Sequence, residues 1–254
     1  MNENESYIYG LLITDGSLSL AERNRGKVTL EISTKDRDIV EKLYQEIPNS
    51  SISNRTRTTN FAENAKFVRF NNSRKEFRDR LIECGFPTKD KTNNANTPTE
   101  KYEKFHYWRG VIDGDGSLGF TADGIPFVSL VTKSETLKQK YCSFLKEEYG
   151  IEKRLNRNKR DNVYNIVIKN EDAVQLAKDL YLENQGIYIN GKYKKAQDIQ
   201  KWVRTKKKAS RRRMWNEEQD KYILSHTLTE PMEHLDRTAS SIKNRLFRLK
   251  KQHK

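Results

Sequence analysis

Cysteine is scarce in this chain of 254 residues, and long apolar runs are lacking. The two cysteines, Cys84 and Cys142, have no histidine partners at zinc-site spacing, so neither a disulfide framework nor a zinc module is predicted. The longest apolar stretch, residues 7–13, is far too short to span a bilayer. The polar, acidic N-terminus is unlike a secretory signal. We therefore expect a soluble protein with reduced thiols, located in the cytoplasm, an organelle matrix or a nucleoid, and not secreted.

Charge, in contrast, is abundant and mostly positive. Lys and Arg number 49 against 35 Asp and Glu, which gives a formal net charge of +14 at pH 7. Residues 201–254 hold 16 Lys and Arg against 6 Asp and Glu, so most of the net charge belongs to the C-terminal fifth of the chain. This balance indicates a polyanionic partner, most commonly nucleic acid, and the uneven distribution predicts a separate basic module. A soluble basic protein that adheres to polyanions without specificity is the alternative.

An internal repeat organises the first 200 residues. Residues 7–18 read YIYGLLITDGSL and residues 107–118 read YWRGVIDGDGSL, so Tyr, Gly, an apolar pair and Asp-Gly-Ser-Leu recur one hundred positions apart. The patterns after each copy predict two αββαββα halves, over residues 1–92 and 105–202, with a connection at 93–104. The predicted strands are 18–23, 27–33, 51–58 and 66–72 in the first half, and 118–121, 126–132, 153–158 and 163–168 in the second.

The segment before each repeated Asp is apolar on nearly all sides, which predicts two buried helices. Gly10 and Gly110 stand within them at a cost of about 1 kcal/mol relative to Ala, which a close helix–helix contact would explain. Asp15 and Asp115 end the helices, where a carboxylate opposes the helix dipole. Two such charges about 5 Å apart also repel by roughly 3 kcal/mol at an effective dielectric of about 20. Mg²⁺, or another divalent cation such as Mn²⁺, would relieve both penalties. A simple Asp-Gly-Ser turn is the alternative for one copy, but two copies in matching contexts favour the metal site.

The two motifs resemble those of the single-chain LAGLIDADG homing endonucleases, over about residues 5–200. The resemblance implies an α+β fold in which two pseudo-symmetric αββαββα halves pack through their motif helices. It implies that Asp15 and Asp115 are the catalytic, metal-binding acids. No part in metal binding is predicted for Thr14. Asp113 occupies the motif position at which the first copy has Ile13, and the resemblance implies that it is non-catalytic.

Two lysines late in the halves, Lys91 and Lys192, match the basic residues that this family carries near its metals. They are predicted to act in catalysis by stabilising phosphate charge or polarising a water. Ordinary exposed lysines are the alternative. The implied reaction is Mg²⁺-dependent hydrolysis of both strands at a long site in double-stranded DNA, by a monomer that leaves 3′ overhangs.

The resemblance also implies that eight strands form two sheets whose polar faces lie in the major groove of DNA. Alternate side chains on such strands can contact base edges, although a solvated sheet face would show the same alternation. The candidates are Lys27, Thr29, Glu31, Ser53, Arg55 and Arg57 in the first half, and Arg154, Asn156, Asn158 and Arg160 in the second.

The C-terminal segment is predicted to be a second DNA-binding module. Residues 203–213 form a basic linker long enough to follow phosphates for about one turn of DNA, and a nuclear-localisation signal is the alternative. Residues 214–254 resemble a Myb/SANT-like helix-turn-helix domain, through Trp215, an acidic first helix and an Arg-Thr pair that opens the third helix. Ile242, Leu246 and Leu249 predict its core stripe. Binding of a protein is the alternative. The candidate DNA contacts are Lys206, Lys207, Arg211, Arg212, Ser241, Asn244 and Arg248.

Two other functions are known on the same scaffold. One is a catalytically silent DNA-binding regulator, in which the motif acids are typically lost. The other is an intron maturase, which would bind intron RNA and assist splicing. Both motif acids are kept here, and this favours the endonuclease.

Overall fold

The computed structural model describes residues 1–22, 25–58, 63–182, 186–204, 215–227, 229–235 and 237–252. The chain divides into two compact units, unit 1 (Met1–Arg204) and unit 2 (Thr205–Lys254). No helix in the described part of the chain is long and apolar enough to cross a membrane.

The first half of unit 1 forms a four-stranded antiparallel sheet with accompanying helices. In chain order its elements are α1 (Glu3–Asp15), β1 (Gly16–Ser19), β2 (Lys27–Ser33), a 3₁₀ turn (Thr34–Asp36), α2 (Arg37–Glu46), β3 (Ser50–Arg57), β4 (Ala65–Asn72), α3 (Lys75–Glu83) and the short α4 (Lys91–Asn94). The strand order is β1-β2-β4-β3. Leu30 pairs with Phe70, which also pairs with Ile52, so apolar side chains of neighbouring strands share the face that packs into the core.

The second half of unit 1 repeats this plan with one strand fewer. Its elements are α5 (Lys104–Asp115), β5 (Gly116–Phe120), β6 (Pro126–Thr132), α6 (Glu135–Tyr149), β7 (Tyr164–Lys169), α7 (Glu171–Leu180) and α8 (Asn190–Gln200). The strands form one antiparallel sheet in the order β5-β6-β7. The α+β class and the two repeated halves are thus confirmed, while the described part of the second half is αββαβαα and not αββαββα.

The predicted strand at 153–158 is wrong, because side chains take the place of a strand ladder there. Lys153 donates its ammonium group to the Val167 carbonyl at 3.0 Å, a main-chain acceptor on the edge strand β7. Arg157 donates to the Asn162 and Lys133 carbonyls at 3.1 and 2.9 Å. The alternation of exposed and half-buried residues persists along the segment, which explains why its pattern resembled that of a strand.

The two motif helices α1 and α5 pack against each other through their glycines. A Cβ added to Gly10 would lie 2.2 Å from the Tyr107 carbonyl oxygen, and one added to Gly110 would lie 2.2 Å from the Tyr7 carbonyl oxygen. Any side chain at either position would therefore push the helices apart. The close helix–helix contact predicted from these glycines is confirmed.

The described residues of unit 2 form three helices, α9 (Glu217–Ser225), α10 (Thr229–Leu235) and α11 (Ala239–Gln252). Its small core consists of buried Ile223, Ile242 and Leu249, with Trp215, Leu235 and Leu246 packed against it. The core stripe predicted for the last helix is therefore present. An ion pair between Arg245 and Asp220, at 2.5 Å, ties α11 to α9.

Candidate active site at the ends of the motif helices

The two repeated acids lie at the C-terminal ends of α1 and α5, where each helix passes directly into a strand. Gly16 and Gly116 make this change of direction possible, because an added Cβ would come within 2.6 and 2.5 Å of the carbonyl oxygens of Leu12 and Ile112. The helices end side by side: a Cβ on Gly114 would be 3.5 Å from the carboxyl carbon of Asp15. Asp15 therefore lies beside the residue that precedes Asp115.

The electrostatics of the acid pair favour a bound cation. Both carboxylates reach solvent, but the surrounding protein excludes much of the water near them. This burial, with repulsion from Asp115 adding to it, raises the pKa of Asp15 to about 6, while Lys192 and Lys91 act against the rise. Burial likewise raises the pKa of Asp115, and the two lysines again oppose it. A positive charge between the carboxylates would lower both pKa values.

The two predicted lysines, Lys91 and Lys192, lie at the same helix ends. Lys91, on α4, donates its ammonium group to the carbonyls of Thr14 and, at 3.4 Å, Leu12. Both ammonium groups are half-buried, and burial lowers the pKa of each, an effect that the nearby acids oppose. Each lysine thus covers carbonyls that end a motif helix and keeps a positive charge near the acid pair.

Lys192, on α8, makes the larger set of contacts. Its ammonium group donates to four carbonyls around the end of α5, at 2.7, 2.5, 3.3 and 3.0 Å, belonging to Ile112, Asp113, Gly114 and Gly116. These contacts differ from those of an ordinary exposed lysine, which would spend its donors on water.

Asp113 is buried behind the acid pair and is fully hydrogen-bonded. Its carboxylate accepts from the hydroxyls of Tyr7 and Tyr181, each at 2.6 Å, and from the Ile189 N–H at 2.8 Å. Ile189 is the N-cap of α8, so Asp113 is joined to the helix that carries Lys192. Desolvation raises the pKa of Asp113, and the hydrogen bonds from Tyr181 and Tyr7 oppose the rise. The sequence marked Asp113 as different from Ile13, but it gave no sign of these partners.

Comparisons with known proteins agree with this geometry. Residues 103–181 match the model of the LAGLIDADG-like domain family. The homing endonuclease I-WcaI bound to its DNA recognition sequence matches over 76% of this chain and 85% of its own, with a TM-score of 0.53 and 13% identity. The chain has the LAGLIDADG fold.

Two further solved structures match to a similar extent. I-GzeII in complex with its DNA target covers 78% of this chain and 89% of its own, with a TM-score of 0.50 and 15% identity. I-DmoI in complex with DNA and Ca covers 75% of this chain and 95% of its own, with a TM-score of 0.50 and 12% identity. Identities this low establish the fold alone. No curated protein matches the chain in sequence.

The donor set at the LAGLIDADG helix ends suits a hard divalent cation. Over the residues that the structure describes, no group of three or more His, Cys, Asp or Glu side chains could hold a metal ion. Asp15 and Asp115 thus offer carboxylate oxygens without a third acidic or histidine ligand among those residues. Such a set fits Mg²⁺, which usually keeps several waters and takes further oxygens from phosphate.

The predicted contact residues of the first half share one face of the four-stranded sheet. The ladder places Glu31 opposite Arg69, and Arg69 opposite Ser53, on the side away from the core. Arg69 was missed in the sequence, because its position on this face becomes evident only once the register of β4 is known. Asn71, paired with Thr29, was missed for the same reason. The face holds Lys27, Thr29, Glu31, Ser53, Arg55, Arg57, Arg69 and Asn71.

The predicted contact residues of the second half lie outside its sheet. Arg154 and Asn156 are exposed on the irregular segment that replaces the predicted strand. Asn158 accepts from the Arg160 N–H at 2.7 Å, so these two residues belong to a turn. Arg160 also pairs with Asp161 at 2.8 Å.

In unit 2, two of the three predicted contact residues are exposed on α11. Asn244 and Arg248 face solvent, whereas Ser241 is half-buried. Phe247, which the sequence reading overlooked, is 69% exposed on the same helix. Lys206, Lys207, Arg211 and Arg212 lie outside the described residues.

Proposed function

We propose that this chain is a site-specific homing endonuclease that makes double-strand breaks with 3′ overhangs in duplex DNA, in a reaction that requires a divalent cation. One observation carries the proposal: Asp15 and Asp115 meet at the ends of the two motif helices, each beside a half-buried lysine. A fold gains no stability from this arrangement, because like charges repel and each opposes a helix dipole. Cleavage of a phosphodiester with bound cations gives the arrangement a use.

In this mechanism Asp15 and Asp115 would hold the cations, and the lysines stabilise charge. Mg²⁺ or Mn²⁺ held there would activate a water and offset charge on the scissile phosphate. The fixed helix ends hold the two carboxylates in place before DNA arrives, which lowers the cost of organising the site. Lys91 and Lys192 place positive charge where the phosphate gains negative charge, in a setting that already excludes part of the water.

Recognition of the target is assigned to the two sheets and to unit 2. The face of the first sheet is rich in arginine and amide side chains, which can donate to base edges in the major groove. Unit 2 is proposed to be a Myb/SANT-like helix-turn-helix domain over residues 214–254, and α11 would present Asn244 and Arg248 to DNA. Residues 203–213 would serve as a basic linker to it. The protein is proposed to act as a monomer, since a single chain carries both motifs.

The decisive experiment is cleavage of a randomised duplex library with Mg²⁺, beside the variants Asp15→Asn and Asp115→Asn. We expect double-strand breaks at one long site. Each variant should lose roughly a hundredfold or more in rate, because several kcal/mol of charge stabilisation depend on each carboxylate. Tight, specific DNA binding without cleavage under any divalent cation would instead establish a silent regulator.

Thermal unfolding without metal controls for the folding of the variants. Because the pKa of Asp15 is raised from 3.8 to about 6, the folded chain binds more protons than the unfolded chain between about pH 4 and pH 6. Stability therefore falls as pH rises through that window. Asp15→Asn removes this loss, so the variant should be at least as stable as the parent at pH 7. A loss of cleavage in such a variant cannot be ascribed to unfolding.

A further inference from the structure

The outer faces of the two sheets differ in chemistry. We call the face formed by Lys27, Thr29, Glu31, Ser53, Arg55, Arg57, Arg69 and Asn71 the arginine face. We call the corresponding face of the second sheet, formed by Ser117, Gly119, Phe127, Ser129, Val131, Asn165, Val167 and Lys169, the apolar face. Both assignments follow from the ladder register, since the alternate residues of the same strands fill the core. The register also places the half-buried Phe67 on the arginine side, but there the Arg57 guanidinium lies over its ring, 4.6 Å from the ring centre.

The arginine face is organised around one carboxylate. Arg69 binds Glu31 at 2.6 Å, and Arg57 and Arg55 approach it at 3.3 and 3.7 Å. The Glu31 side chain is 15% exposed, whereas Arg55 and Arg57 are 51% and 60% exposed. Glu31 thus orients the arginines, and among the described residues it engages only a few of the five N–H donors that each guanidinium carries. Its oxygens are already engaged, so it is poorly suited to accept from a cytosine amino group.

The apolar face has hydrophobic side chains at positions that are polar or charged in the first sheet. By register, Phe127, Val131 and Val167 correspond to Lys27, Glu31 and Asn71. Val131 is 39% exposed, and Phe127 and Val167 are half-buried beside it on the same face. Phe127 lies over Gly119, whose missing side chain leaves room for the ring: an added Cβ would be 3.9 Å from the ring edge. None of these three side chains contributes to the buried core, which takes the alternate residues of the same strands.

Polar groups around the apolar face indicate what covers it. The exposed Asn165 is paired with Val131, and the exposed Lys169 is paired with Phe127. An apolar strip with an amide and a cation beside it suits the major groove at thymines, where 5-methyl groups lie between base-edge acceptors and flanking phosphates. Apolar side chains that adjoin one another outside the core, with polar residues around them, are typical of an interaction surface.

We infer that the two halves of the chain recognise the two halves of one DNA target by different chemistry. The arginine face contacts guanines through their N7 and O6 acceptors. The apolar face contacts thymines through their 5-methyl groups, by way of Phe127, Val131 and Val167. This inference rests on the proposed function and adds the base composition of the target, with guanines in one half-site and thymines in the other.

Base analogues in the selected target test the inference. Binding of the full chain is measured in EDTA, so that cleavage does not interfere. Replacing thymine by deoxyuridine removes the 5-methyl group, and replacing guanine by 7-deazaguanine removes N7. We expect deoxyuridine to weaken binding about fourfold per contacted methyl in one half-site. We expect 7-deazaguanine to weaken binding about tenfold per contacted base in the other.

Protein variants assign each half-site to its sheet. We call the loss of affinity on each base replacement its penalty. Val131→Ser should remove the deoxyuridine penalty at the thymine that Val131 contacts and leave the 7-deazaguanine penalty in place. Arg57→Gln should remove the 7-deazaguanine penalty at the guanine that Arg57 contacts and leave the deoxyuridine penalty in place. Tyr44→Ser is the control, because Tyr44 is an exposed apolar side chain on α2, outside both faces, and it should change neither penalty.

The outcomes separate this inference from the proposed function. If no duplex is bound specifically, both are overturned. If a duplex is bound but deoxyuridine penalties occur in both half-sites or in neither, the inference alone is overturned. A deoxyuridine penalty that persists in Val131→Ser, Phe127→Ser and Val167→Ser has the same consequence.

Discussion

Thr14 and Gly114 occupy matched positions in the two motif copies and fit each other across the helix contact. A Cβ on Gly114 would lie 1.9 Å from the hydroxyl oxygen of Thr14 and 2.7 Å from its Cβ. That hydroxyl is fixed by donation to the Leu11 carbonyl at 2.8 Å, so it cannot turn away without losing a bond. The difference between the copies is therefore a packing requirement, since both helices could not carry a side chain at this point.

We expect Gly114→Ala to destabilise unit 1 by about 1–3 kcal/mol, as overpacking of a close contact does. Thr14→Gly in the same chain should recover much of that loss, because it vacates the space that the new methyl needs. The loss of unfolding free energy in the double variant should be smaller than the sum of the two single losses by about 1 kcal/mol or more. Urea denaturation of the four proteins measures this difference, and additive effects would show that the two residues do not compete for space.

Asp113 connects three elements whose order along the chain does not bring them together. Its donors, Tyr7, Tyr181 and Ile189, are 106, 68 and 76 positions away and belong to α1, the end of α7 and the start of α8. The connection fixes α8, and with it Lys192, against the motif helices. No sequence pattern encodes hydrogen bonds over such separations, which is why these partners were not predicted.

A pair of buried tyrosines tests the energy of this connection. We expect Tyr181→Phe to cost about 1–3 kcal/mol of unfolding free energy, because a buried carboxylate oxygen of Asp113 loses its donor. Tyr141→Phe is the matched control, since the Tyr141 hydroxyl is buried and has no hydrogen-bond partner within the described parts of the chain. Its removal should be neutral or slightly stabilising. Equal losses in the two variants, measured by chemical denaturation, would mean that the Asp113 bond adds nothing.

Other elements followed from the sequence where burial and local pattern coincide. In β2, Val28 and Leu30 alternate with polar residues, and they are buried as predicted. The segment 153–158 has the same alternation without a strand, because alternation reports which side chains are buried and not which backbone groups pair. The helix α8 was missed because it buries only Ala196 and Ile199 among its eleven residues, too few for a clear stripe.

The candidate active site was predicted more completely than its surroundings. Asp15 and Asp115 were predicted because the repeat marks them twice, and repetition carries information that a single Asp-Gly-Ser turn lacks. Lys91 and Lys192 were predicted from the family resemblance. The structure places all four residues at the helix ends, and their catalytic roles stay predictions. Arg69 was not predicted, because its place beside Glu31 depends on the strand register, which the alternation in sequence does not specify.

At the scale of the whole molecule, the described residues form two separate cores, and the net charge is concentrated in the unit with the smaller core. The larger core lies entirely within Met1–Arg204, and the smaller one consists of Ile223, Ile242 and Leu249 with their neighbours. Residues 205–254 hold 14 Lys and Arg against 6 Asp and Glu. A unit with so small a core and so much positive charge is suited to add DNA affinity, while unit 1 has the core to fold without it.

Truncation after Arg204 separates these contributions. We expect residues 1–204 to unfold at a temperature close to that of unit 1 in the full chain, because their core is intact. Affinity for the selected DNA should fall roughly tenfold, the gain expected from a tethered module of about 0.1 mM affinity at a local concentration of about 1 mM. The logarithm of affinity should also decline less steeply with the logarithm of salt concentration, because fewer phosphates are neutralised.

A second variant locates the effect within the C-terminal segment. Asn244→Ala with Arg248→Ala keeps the basic linker and alters the exposed side of α11, where both side chains face solvent. If α11 contacts DNA, this variant should lose a large part of the roughly tenfold gain in affinity that the C-terminal segment provides. The slope of the logarithm of affinity against the logarithm of salt concentration should become shallower by about one unit, because one positive charge is removed. If it binds like the parent while the truncated chain does not, the affinity comes from the charge of the linker alone. An unchanged affinity after truncation would mean that residues 205–254 do not contact this DNA, and the three-helix unit would then be tested for a protein partner.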